Sequence, residues 1–264
     1  MARIQMNYTS VLIRTSITLD ILLPETIKDA AKDKKTFGEY AAGKEYPVLW
    51  LLHGAGGDGS DWPRFSRAEA LAVEKELVIV CPTCFDPTYS NMAHGYRWLD
   101  YIGVELYDLI RTMLPVSGRR EDHFIAGLSM GGYGAYKLAL TFPEKYAGVA
   151  GLSGAYEIPQ DYEKGTLRGG EKLIGAALGD KGKVLGGKND IFALAEKRAA
   201  QGGPLPKAYL TCGRDDFCLE SEERFYAHLK QLGYDVSRKD YDGYSHQWDF
   251  WSMVLAEAAE ALMK

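Results

Sequence analysis

The sequence predicts an α/β fold in which an eight-stranded, mostly parallel β-sheet carries helices on both faces. Three observations predict it: short apolar runs rich in β-branched and aromatic residues recur along the chain, helical patterns separate the later runs, and the first two runs show the polar alternation of an edge hairpin. At 264 residues, the chain can bury roughly three quarters of its unfolded surface. We therefore expect one domain over residues 1–264.

Eight segments are predicted as strands. In chain order they read YTSVLI, SITLDILLP, VLWLLH, LVIVCP, HFIAGLS, YAGVAGLS, KAYLTC and DVSRKDYD. From the third segment onward they read as continuous apolar stretches, which is typical of strands that are buried on both faces of a parallel sheet. The first two are expected to pair as an antiparallel hairpin at one edge of the sheet.

Five helical patterns and two insertions complete the predicted architecture. Helices are expected at residues 66–76, 104–113, 132–142, 220–232 and 249–263. Residues 26–45 are charged and contain glycine, so we expect a surface insertion there. Residues 155–200 are rich in glycine and follow the sixth strand, which favours a small cap over the carboxyl edge of the sheet.

The composition narrows the range of partners and compartments. Lysine and arginine number 31 against 36 aspartate and glutamate residues, and the net charge of -5 comes without a dense basic run, so a nucleic-acid partner is not expected. The opening MARIQMNYTS lacks the features of a signal peptide, and no apolar run of 18 residues predicts a membrane span. We expect a soluble, cytoplasmic protein that acts on a small molecule.

The cysteines do not predict a metal site or a disulfide framework. Cys81 and Cys84 form a C-x-x-C, but Cys212 and Cys218 have five residues between them and no nearby histidine to complete a zinc set. Four cysteines in a chain of this size are too few for a disulfide scaffold. We predict thiols in the core or at the edge of a pocket, and no metal.

The sharpest motif is Gly127-Leu128-Ser129-Met130-Gly131, which fits G-x-S-x-G between a predicted strand and a predicted helix. In so tight a turn, a Cβ at either flanking glycine would collide with the adjoining strand or helix. Ser129 would then project its hydroxyl above the sheet at a helix N-terminus, whose dipole favours developing negative charge. Ser153 in GLSGA is a rival, but Ala155 stands where the pattern requires glycine, so we predict a turn or cap residue there.

A serine hydroxyl needs a base to remove its proton. In this type of sheet the acid and the histidine follow the serine along the chain, which leaves His228 and His246 as candidates. His228 stands at helical spacing with Phe225 and Leu232, as a half-buried helix residue would. His246 lies in a loop between the last strand and the terminal helix, and we predict that it is the base.

The acid that orients the imidazole should follow the seventh strand. KAYLTCGRDDFC offers Asp215 and Asp216, and neighbours in sequence usually point apart, so one of them is expected to be a solvated or capping residue. The distance from Gly213 and the following Phe217 favour Asp216.

An oxyanion hole requires backbone N–H groups that point at the developing charge. We predict that Met130 supplies one and that Ala55, with Gly56 as the alternative, supplies the other from the loop after the third strand. In that loop, His53 is expected to be a structural brace.

The same loop also matches G-x-G-x-x-G, the fingerprint of dinucleotide binding. The next strand, however, ends in Cys81 and Pro82 instead of the acidic residue that would hold a ribose. A dinucleotide-binding protein would also have no role for the serine of the G-x-S-x-G motif. The residues therefore favour acyl transfer over a dehydrogenase.

Taken together, these segments resemble the α/β-hydrolase esterases of the tributyrin-esterase and esterase D type, a group related to S-formylglutathione hydrolases and to feruloyl and acetylxylan esterases. YPVLWLLHGAGGDGSDW is similar to the group's third strand and oxyanion loop, YSNMAHGYRW to its tyrosine-asparagine segment, and FIAGLSMGGYGAYKLAL to its nucleophile elbow. CGRDDF and GYSHQWDFW resemble the acid and histidine segments, which supports Asp216 and His246 in those roles. The Gly-Leu-Thr-Cys type of loop that formylglutathione hydrolases carry is absent.

The resemblance implies a serine carboxylesterase for short-chain acyl esters that requires no cofactor. The alternatives are a feruloyl or acetylxylan-type carbohydrate esterase, an S-formylglutathione hydrolase, and a catalytically silent binding protein with this fold. Aromatic rings combine apolar area with a polar tip, and the chain contains 17 tyrosines. We predict that a substrate cleft is walled by Gly56, Tyr89, Trp98, Tyr133 and Trp248.

Overall fold

The strands of the computed structural model form one eight-stranded sheet, and the structure describes residues 2–24, 31–36, 39 and 42–264. The strands are β1 (Ala2–Thr9), β2 (Ser16–Leu23), β3 (Val48–Leu52), β4 (Val78–Cys81), β5 (His123–Leu128), β6 (Gly148–Leu152), β7 (Lys207–Gly213) and β8 (Val236–Tyr241). Their order is β1-β2-β4-β3-β5-β6-β7-β8. Both pairings of β2 are antiparallel, and the pairs from β4 to β8 are parallel.

The helices that the structure describes lie between and after these strands. They are α1 (Asp61–Phe65), α2 (Ala68–Glu74), α3 (Trp98–Asp100), α4 (Tyr107–Met113), α5 (Met130–Thr141), α6 (Ile158–Lys164), α7 (Glu171–Leu178), α8 (Ile191–Gln201), α9 (Leu219–Gln231) and α10 (Trp248–Met263). A π-helical segment, Tyr101–Leu106, joins α3 to α4, so the helix predicted at 104–113 begins earlier than expected. No described helix is both long and apolar enough to cross a membrane.

The sheet separates two apolar layers. Trp50 and Leu52 of β3 belong to the layer under α4, α5, α8 and α9, whereas Leu49 and Leu51 belong to the layer under α1, α2 and α10. Successive side chains of a strand point to opposite faces, so a strand covered on both sides must be apolar throughout. This explains the continuous apolar runs of the central strands.

Two strand predictions need correction. The first strand is Ala2–Thr9, because residues 10–13 of the predicted YTSVLI form the turn of the hairpin. The backbone N–H groups of Val11 and Leu12 donate to the Glu105 carboxylate, so this apolar segment is held as a turn anchored to the neighbouring helix. Strand β8 also differs from the predicted continuous apolar stretch. Among the described strands it pairs with β7 alone, and its residues alternate in burial as those of an edge strand do.

The segment at 155–200 contains two different structures. Helices α6 and α7 pack on each other through a small apolar cluster that includes Tyr162 and Ile174. Helix α8 instead packs against α5 on the face of the sheet, so the predicted cap ends before residue 191. Of the insertion predicted at 26–45, residues 26–30, 37–38 and 40–41 lie outside the described residues.

Candidate active site

Ser129 stands in the turn between β5 and α5, where its backbone adopts φ 53° and ψ -120°. A positive φ is costly for a residue with a side chain, so the surrounding structure must impose it. A Cβ at Gly127 would collide with the backbone of Gly131, and a Cβ at Gly131 would lie 2.5 Å from the carbonyl oxygens of Leu52 and His53. Because both residues are glycine, the turn can lie close to the backbone of the adjoining helix and of the neighbouring strand.

Gly131→Ala is expected to lower the free energy of unfolding by about 2 kcal/mol or more, because the atoms that the new methyl group meets belong to buried backbone. Chemical denaturation of the purified variant measures the loss. Gly175→Ala is the matched control, since its new Cβ would meet a side-chain oxygen, that of Tyr162, at 3.0 Å. Equal stability of Gly131→Ala and the wild type would contradict the explanation that the turn around Ser129 has no room for a side chain at position 131.

The structure brings three predicted residues together at the carboxyl edge of the sheet. His246 Nε2 lies 2.9 Å from Ser129 Oγ, and His246 Nδ1 lies 2.9 Å from Asp216 Oδ2 and 3.1 Å from its Oδ1. Burial raises the pKa of Asp216, but hydrogen bonds from His246 and from the Cys218 N–H outweigh it and hold that pKa below its ordinary value. A charged carboxylate therefore faces the imidazole.

The other residues that the sequence offers as acid, base or nucleophile lie elsewhere in the structure. Asp215 is exposed, and its N–H donates to the Tyr244 carbonyl. His228 is half-buried on α9, with Nε2 3.1 Å from the Phe192 carbonyl oxygen. Ser153 is fully buried at the end of β6, and its hydroxyl accepts a hydrogen bond from Trp251. None of the three offers a reactive group to the hydroxyl of Ser129.

The loop after β3 lies against the turn that contains Ser129. A Cβ at Gly54 would lie 2.6 Å from Leu128 Cδ1, so the absence of a side chain there allows the close approach. Burial lowers the pKa of His53, and the neutral ring fits its contacts, because Nδ1 lies 2.8 Å from the Gly54 carbonyl oxygen while Nε2 accepts from the Cys84 N–H at 3.0 Å. His53 thus ties this loop to the loop after β4.

A cleft of about 810 Å³ opens beside Ser129. Its wall includes Ala55, Gly56 and Met130. Met130 is the first residue of α5, and an N–H at that position of a helix has no carbonyl within the helix to bind. Ala55 and Met130, the two residues predicted to supply the oxyanion donors, thus line the same cleft as Ser129.

A known protein family and several individual proteins are similar to this chain. The profile of the Esterase family matches residues 34–262. The chain belongs to the Esterase family. An acetyl esterase of Caldicellulosiruptor saccharolyticus is 30% identical over 271 aligned residues, which cover 100% of this chain and 99% of that protein.

Two solved structures from Staphylococcus aureus are similar along the whole chain. FphF, a fluorophosphonate-binding serine hydrolase, superposes with a TM-score of 0.87 at 30% identity and covers 100% of this chain and 98% of that one. The S-formylglutathione hydrolase FrmB superposes with a TM-score of 0.84 at 30% identity, covering 100% and 99%. The chain is thus a carboxylic ester hydrolase with the α/β-hydrolase fold, which confirms the predicted fold class.

The aromatic wall predicted for this esterase is wrong at four positions. Tyr89, Trp98 and Tyr133 are buried in the core, where the hydroxyl of Tyr89 donates to the His53 carbonyl and that of Tyr133 to the Asn189 carbonyl. Trp248 packs against Trp62 and the neighbouring rings of α1 and α10. The hydroxyls of Tyr89 and Tyr133 donate to carbonyls that are distant in the chain, so both side chains are stable inside the core and away from the cleft.

The cleft of the esterase is instead walled by the cap and by two loops of the sheet edge. Apolar side chains of the cap, the loop after β4 and the loop after β7 line it: Phe85, Pro87, Ile158, Leu167, Leu173, Ile174 and Phe217. Of the predicted substrate contacts, Gly56 alone lies in this wall. The Phe217 ring also covers His246, with ring centroids 4.4 Å apart.

A buried polar network supports the loop after β4. Lys137 of α5 is fully buried, and its amine donates to the Thr88 carbonyl at 3.3 Å, to Asn189 Oδ1 at 2.7 Å and to Ser90 Oγ. Burial lowers the pKa of Lys137 to about 7, while the nearby Asp86 opposes that shift. The network ties α5 to the loop after β4 and to the segment that precedes α8. The sequence does not predict it, because an apolar helix face gives no sign of a buried amine.

Lys137→Met is expected to lower the free energy of unfolding by about 2–4 kcal/mol, since three buried acceptors lose their donor. Between pH 7 and 10.5 the folded amine binds fewer protons than the unfolded one, so this residue makes the wild type more stable as the pH rises through that window. Denaturation at several pH values should show the gain in the wild type and in Lys197→Met, a variant of an exposed lysine on α8, but not in Lys137→Met. The same pH dependence in all three proteins would contradict this assignment.

The four cysteines are free and buried. Cys84 and Cys218 lie in the wall of the cleft, while burial raises the pKa of Cys81 and Cys84 well above the ordinary range. The Cys218 sulfur, a carboxylate oxygen of Asp216 and a ring nitrogen of His246, three atoms that could bind a metal ion, also lie within 4.8 Å of one another. Burial raises the pKa of the Cys218 thiol as well.

Proposed function

We propose that this esterase hydrolyses short-chain acyl esters through Ser129, His246 and Asp216, with an acyl-enzyme intermediate. The observation that carries the proposal is the continuous chain of contacts from Ser129 Oγ through the two imidazole nitrogens to the Asp216 carboxylate. A serine that is held at a strained turn, touches a base and faces an open cleft has the properties of an activated nucleophile.

The reaction follows from these positions. His246 Nε2 takes the proton from Ser129 Oγ as the oxygen attacks the ester carbonyl carbon, and the carbonyl oxygen becomes an oxyanion that the N–H groups of Ala55 and Met130 stabilise. The carbon–oxygen bond to the alcohol then breaks, and His246 gives its proton to the leaving alcohol. Water repeats the attack on the acyl-enzyme, which releases the acid and restores the serine hydroxyl.

Two observations bear on the substrate. The acetyl esterase relative matches the whole length of the chain and supports a small acyl group. The cleft of about 810 Å³ is larger than an acetyl group needs, and the side chain of Phe85 in its wall is 70% exposed. The open aromatic wall is the observation that favours the second candidate, an esterase for feruloyl or acetylated sugar esters, in which the ring or sugar would rest on these surfaces.

The activity is expected to fall as the pH is lowered, because an imidazole that already carries two protons cannot accept one from Ser129. Asp216 keeps its charge across this range since its pKa is below its ordinary value, so the acid limb of kcat/KM should follow a single group. Initial rates with p-nitrophenyl acetate from about pH 8 to about pH 5 measure the limb. A flat profile over that range would exclude His246 as a general base.

Labelling with a fluorophosphonate probe tests the proposed nucleophile, and a substrate panel tests the specificity. We expect an adduct on Ser129 of the folded protein, identified by peptide mass spectrometry, and none on the rival Ser153.

The panel should run from p-nitrophenyl acetate to the decanoate and include methyl ferulate, an acetylated xylo-oligosaccharide and S-formylglutathione. A folded protein without a Ser129 adduct would favour the catalytically silent alternative, and the highest kcat/KM on a long-chain or aromatic ester would contradict the short-chain preference.

A further inference from the structure

The side chain of His53 holds a carbonyl beside one of the proposed oxyanion donors. Its Nδ1 lies 2.8 Å from the Gly54 carbonyl oxygen, and its Nε2 lies 3.0 Å from the Cys84 backbone nitrogen. A carbonyl can only accept a hydrogen bond and a backbone N–H can only donate one, so the proton of the ring is on Nδ1. The ring therefore donates to the Gly54 carbonyl and accepts from the Cys84 N–H.

The Gly54 carbonyl and the Ala55 N–H belong to the same peptide bond. That bond is planar and trans, so the two groups point in opposite directions. A second donor, the Gly57 N–H, lies 3.2 Å from the Gly54 carbonyl oxygen and closes a tight turn. Among the described residues, none accepts a hydrogen bond from the Ala55 N–H. The direction of this N–H is thus fixed from the other end of the peptide bond, by the groups that hold the carbonyl.

Tyr89 holds the peptide bond before that one. Its hydroxyl donates to the His53 carbonyl oxygen at 2.9 Å, and the two rings lie side by side with centroids 5.8 Å apart. Tyr89 is fully buried and has a φ of 47°, a costly conformation for a residue with a side chain. Its ring fills the space that a Cβ at Gly134 of α5 would need, since that atom would lie 2.4 Å from Tyr89 Cδ2. Tyr89 thus contacts both the helix that follows Ser129 and the loop after β3.

We propose that His53 and Tyr89 are positioning residues for the oxyanion hole. The His53 imidazole directs the Ala55 N–H by holding the carbonyl at the other end of the same peptide bond. Tyr89 fixes the backbone of His53, so that the ring reaches this carbonyl. The inference rests on the proposed function, in which the Ala55 N–H stabilises the oxyanion. Neither side chain lines the cleft, so their effect passes to the reaction through the loop after β3.

Two amide variants separate the two hydrogen bonds of the His53 ring. The NH₂ group of asparagine can take the place of Nδ1–H, because both nitrogens are bonded to Cγ, whereas the side-chain oxygen of glutamine stands near the place of Nε2. His53→Asn thus keeps the donor to the Gly54 carbonyl, and His53→Gln keeps the acceptor for the Cys84 N–H.

The donor, not the acceptor, should decide the rate. We expect kcat on p-nitrophenyl acetate to fall about 10- to 100-fold in His53→Gln and less than about 5-fold in His53→Asn. KM should change little in both, because the oxyanion exists only after Ser129 has attacked. Chemical denaturation should show a similar loss of stability in the two variants, since each loses one buried hydrogen bond. Equal values of kcat in the two variants would overturn the proposed role of His53.

A double variant tests whether His53 acts through Ala55. Ala55→Pro removes the N–H that the imidazole is proposed to direct. Adding His53→Gln to Ala55→Pro should therefore lower kcat by less than about 3-fold more, because no donor is left to direct. If His53→Gln caused its full loss in the Ala55→Pro background as well, His53 would act by another route and the inference would be overturned.

Tyr89→Phe removes the hydroxyl and keeps the ring, and it should lower kcat about 10-fold with little change in KM. Tyr136→Phe is the matched control. Tyr136 is also buried, and its hydroxyl also donates to a carbonyl, that of Tyr209 at 3.0 Å, which lies on β7 and not in the loop after β3. Both variants should lose similar stability, but Tyr136→Phe should keep the kcat of the wild type.

The outcomes separate the inference from the function on which it rests. The same kcat in Tyr89→Phe and Tyr136→Phe would overturn the role of Tyr89, while hydrolysis would still depend on Ser129. Activity that persists in Ser129→Ala would instead overturn the proposed function.

Discussion

Ser129→Ala is expected to reduce the hydrolysis of p-nitrophenyl acetate by a factor on the order of 10⁴ or more. The variant keeps the cleft, His246 and the N–H groups proposed as oxyanion donors, but it has no oxygen that can attack the carbonyl carbon. Water cannot replace it efficiently, because the imidazole is placed for the serine oxygen at 2.9 Å. Steady-state kinetics with freshly purified enzyme measure the loss.

The control for this variant separates chemistry from folding. Alanine is strained at φ 53° much as serine is, so the thermal unfolding temperature should stay close to that of the wild type. Ser60→Ala changes a serine that precedes α1 and lies outside the cleft wall, and it should retain full activity. Turnover by Ser129→Ala within a few fold of the wild-type value would remove Ser129 from the mechanism.

Ala55→Pro is expected to lower kcat by about 100- to 1,000-fold, the usual loss when one donor of an oxyanion hole is removed. Proline has no backbone N–H, so the substitution deletes the proposed donor without changing Ser129, His246 or Asp216. Ala55 is exposed and is the second residue of a turn in which the Gly57 N–H donates to the Gly54 carbonyl and Gly56 has a φ of 76°, and proline is common at that position of such a turn. Comparison of kcat and KM between the variant and the wild type measures the effect.

Ala55→Gly distinguishes the N–H from the side chain. Glycine keeps the donor and removes only a methyl group, so this variant should lose far less activity than Ala55→Pro. If both variants lost the same activity, the methyl group or the shape of the loop would be the cause. If neither lost activity, Gly56 would become the candidate for the second donor.

Much of the site could be predicted because its main features depend on short segments. The spacing of Gly127, Ser129 and Gly131 reflects contacts with backbone next to the turn, and the structure shows those contacts. His246 and Asp216 follow predicted strands at the same edge of the sheet, where the structure brings them together. The predicted position of the first strand is wrong because an apolar turn and a strand have the same local pattern.

The cleft walls could not be predicted in this way. Tyr133 and Tyr89 stand near the motifs in sequence, but their hydroxyls reach the carbonyls of Asn189 and His53 inside the core. Phe217 faces the cleft because the loop after β7 ends beside the cap, a proximity between segments that are distant in the chain. A tyrosine excess in composition therefore says little about which rings meet a substrate.

The sequence by itself determined the α/β architecture, the strained turn around Ser129 and the family to which the chain belongs, because each rests on patterns over a few consecutive residues. Tertiary structure alone decided the walls of the cleft, the buried amine of Lys137 and the contacts of Ser153 with Trp251. Those features join side chains that are distant in the chain; Ser153 and Trp251, for example, are 98 positions apart. Their energies come from packing and from hydrogen bonds that exist only after the layers close on the sheet.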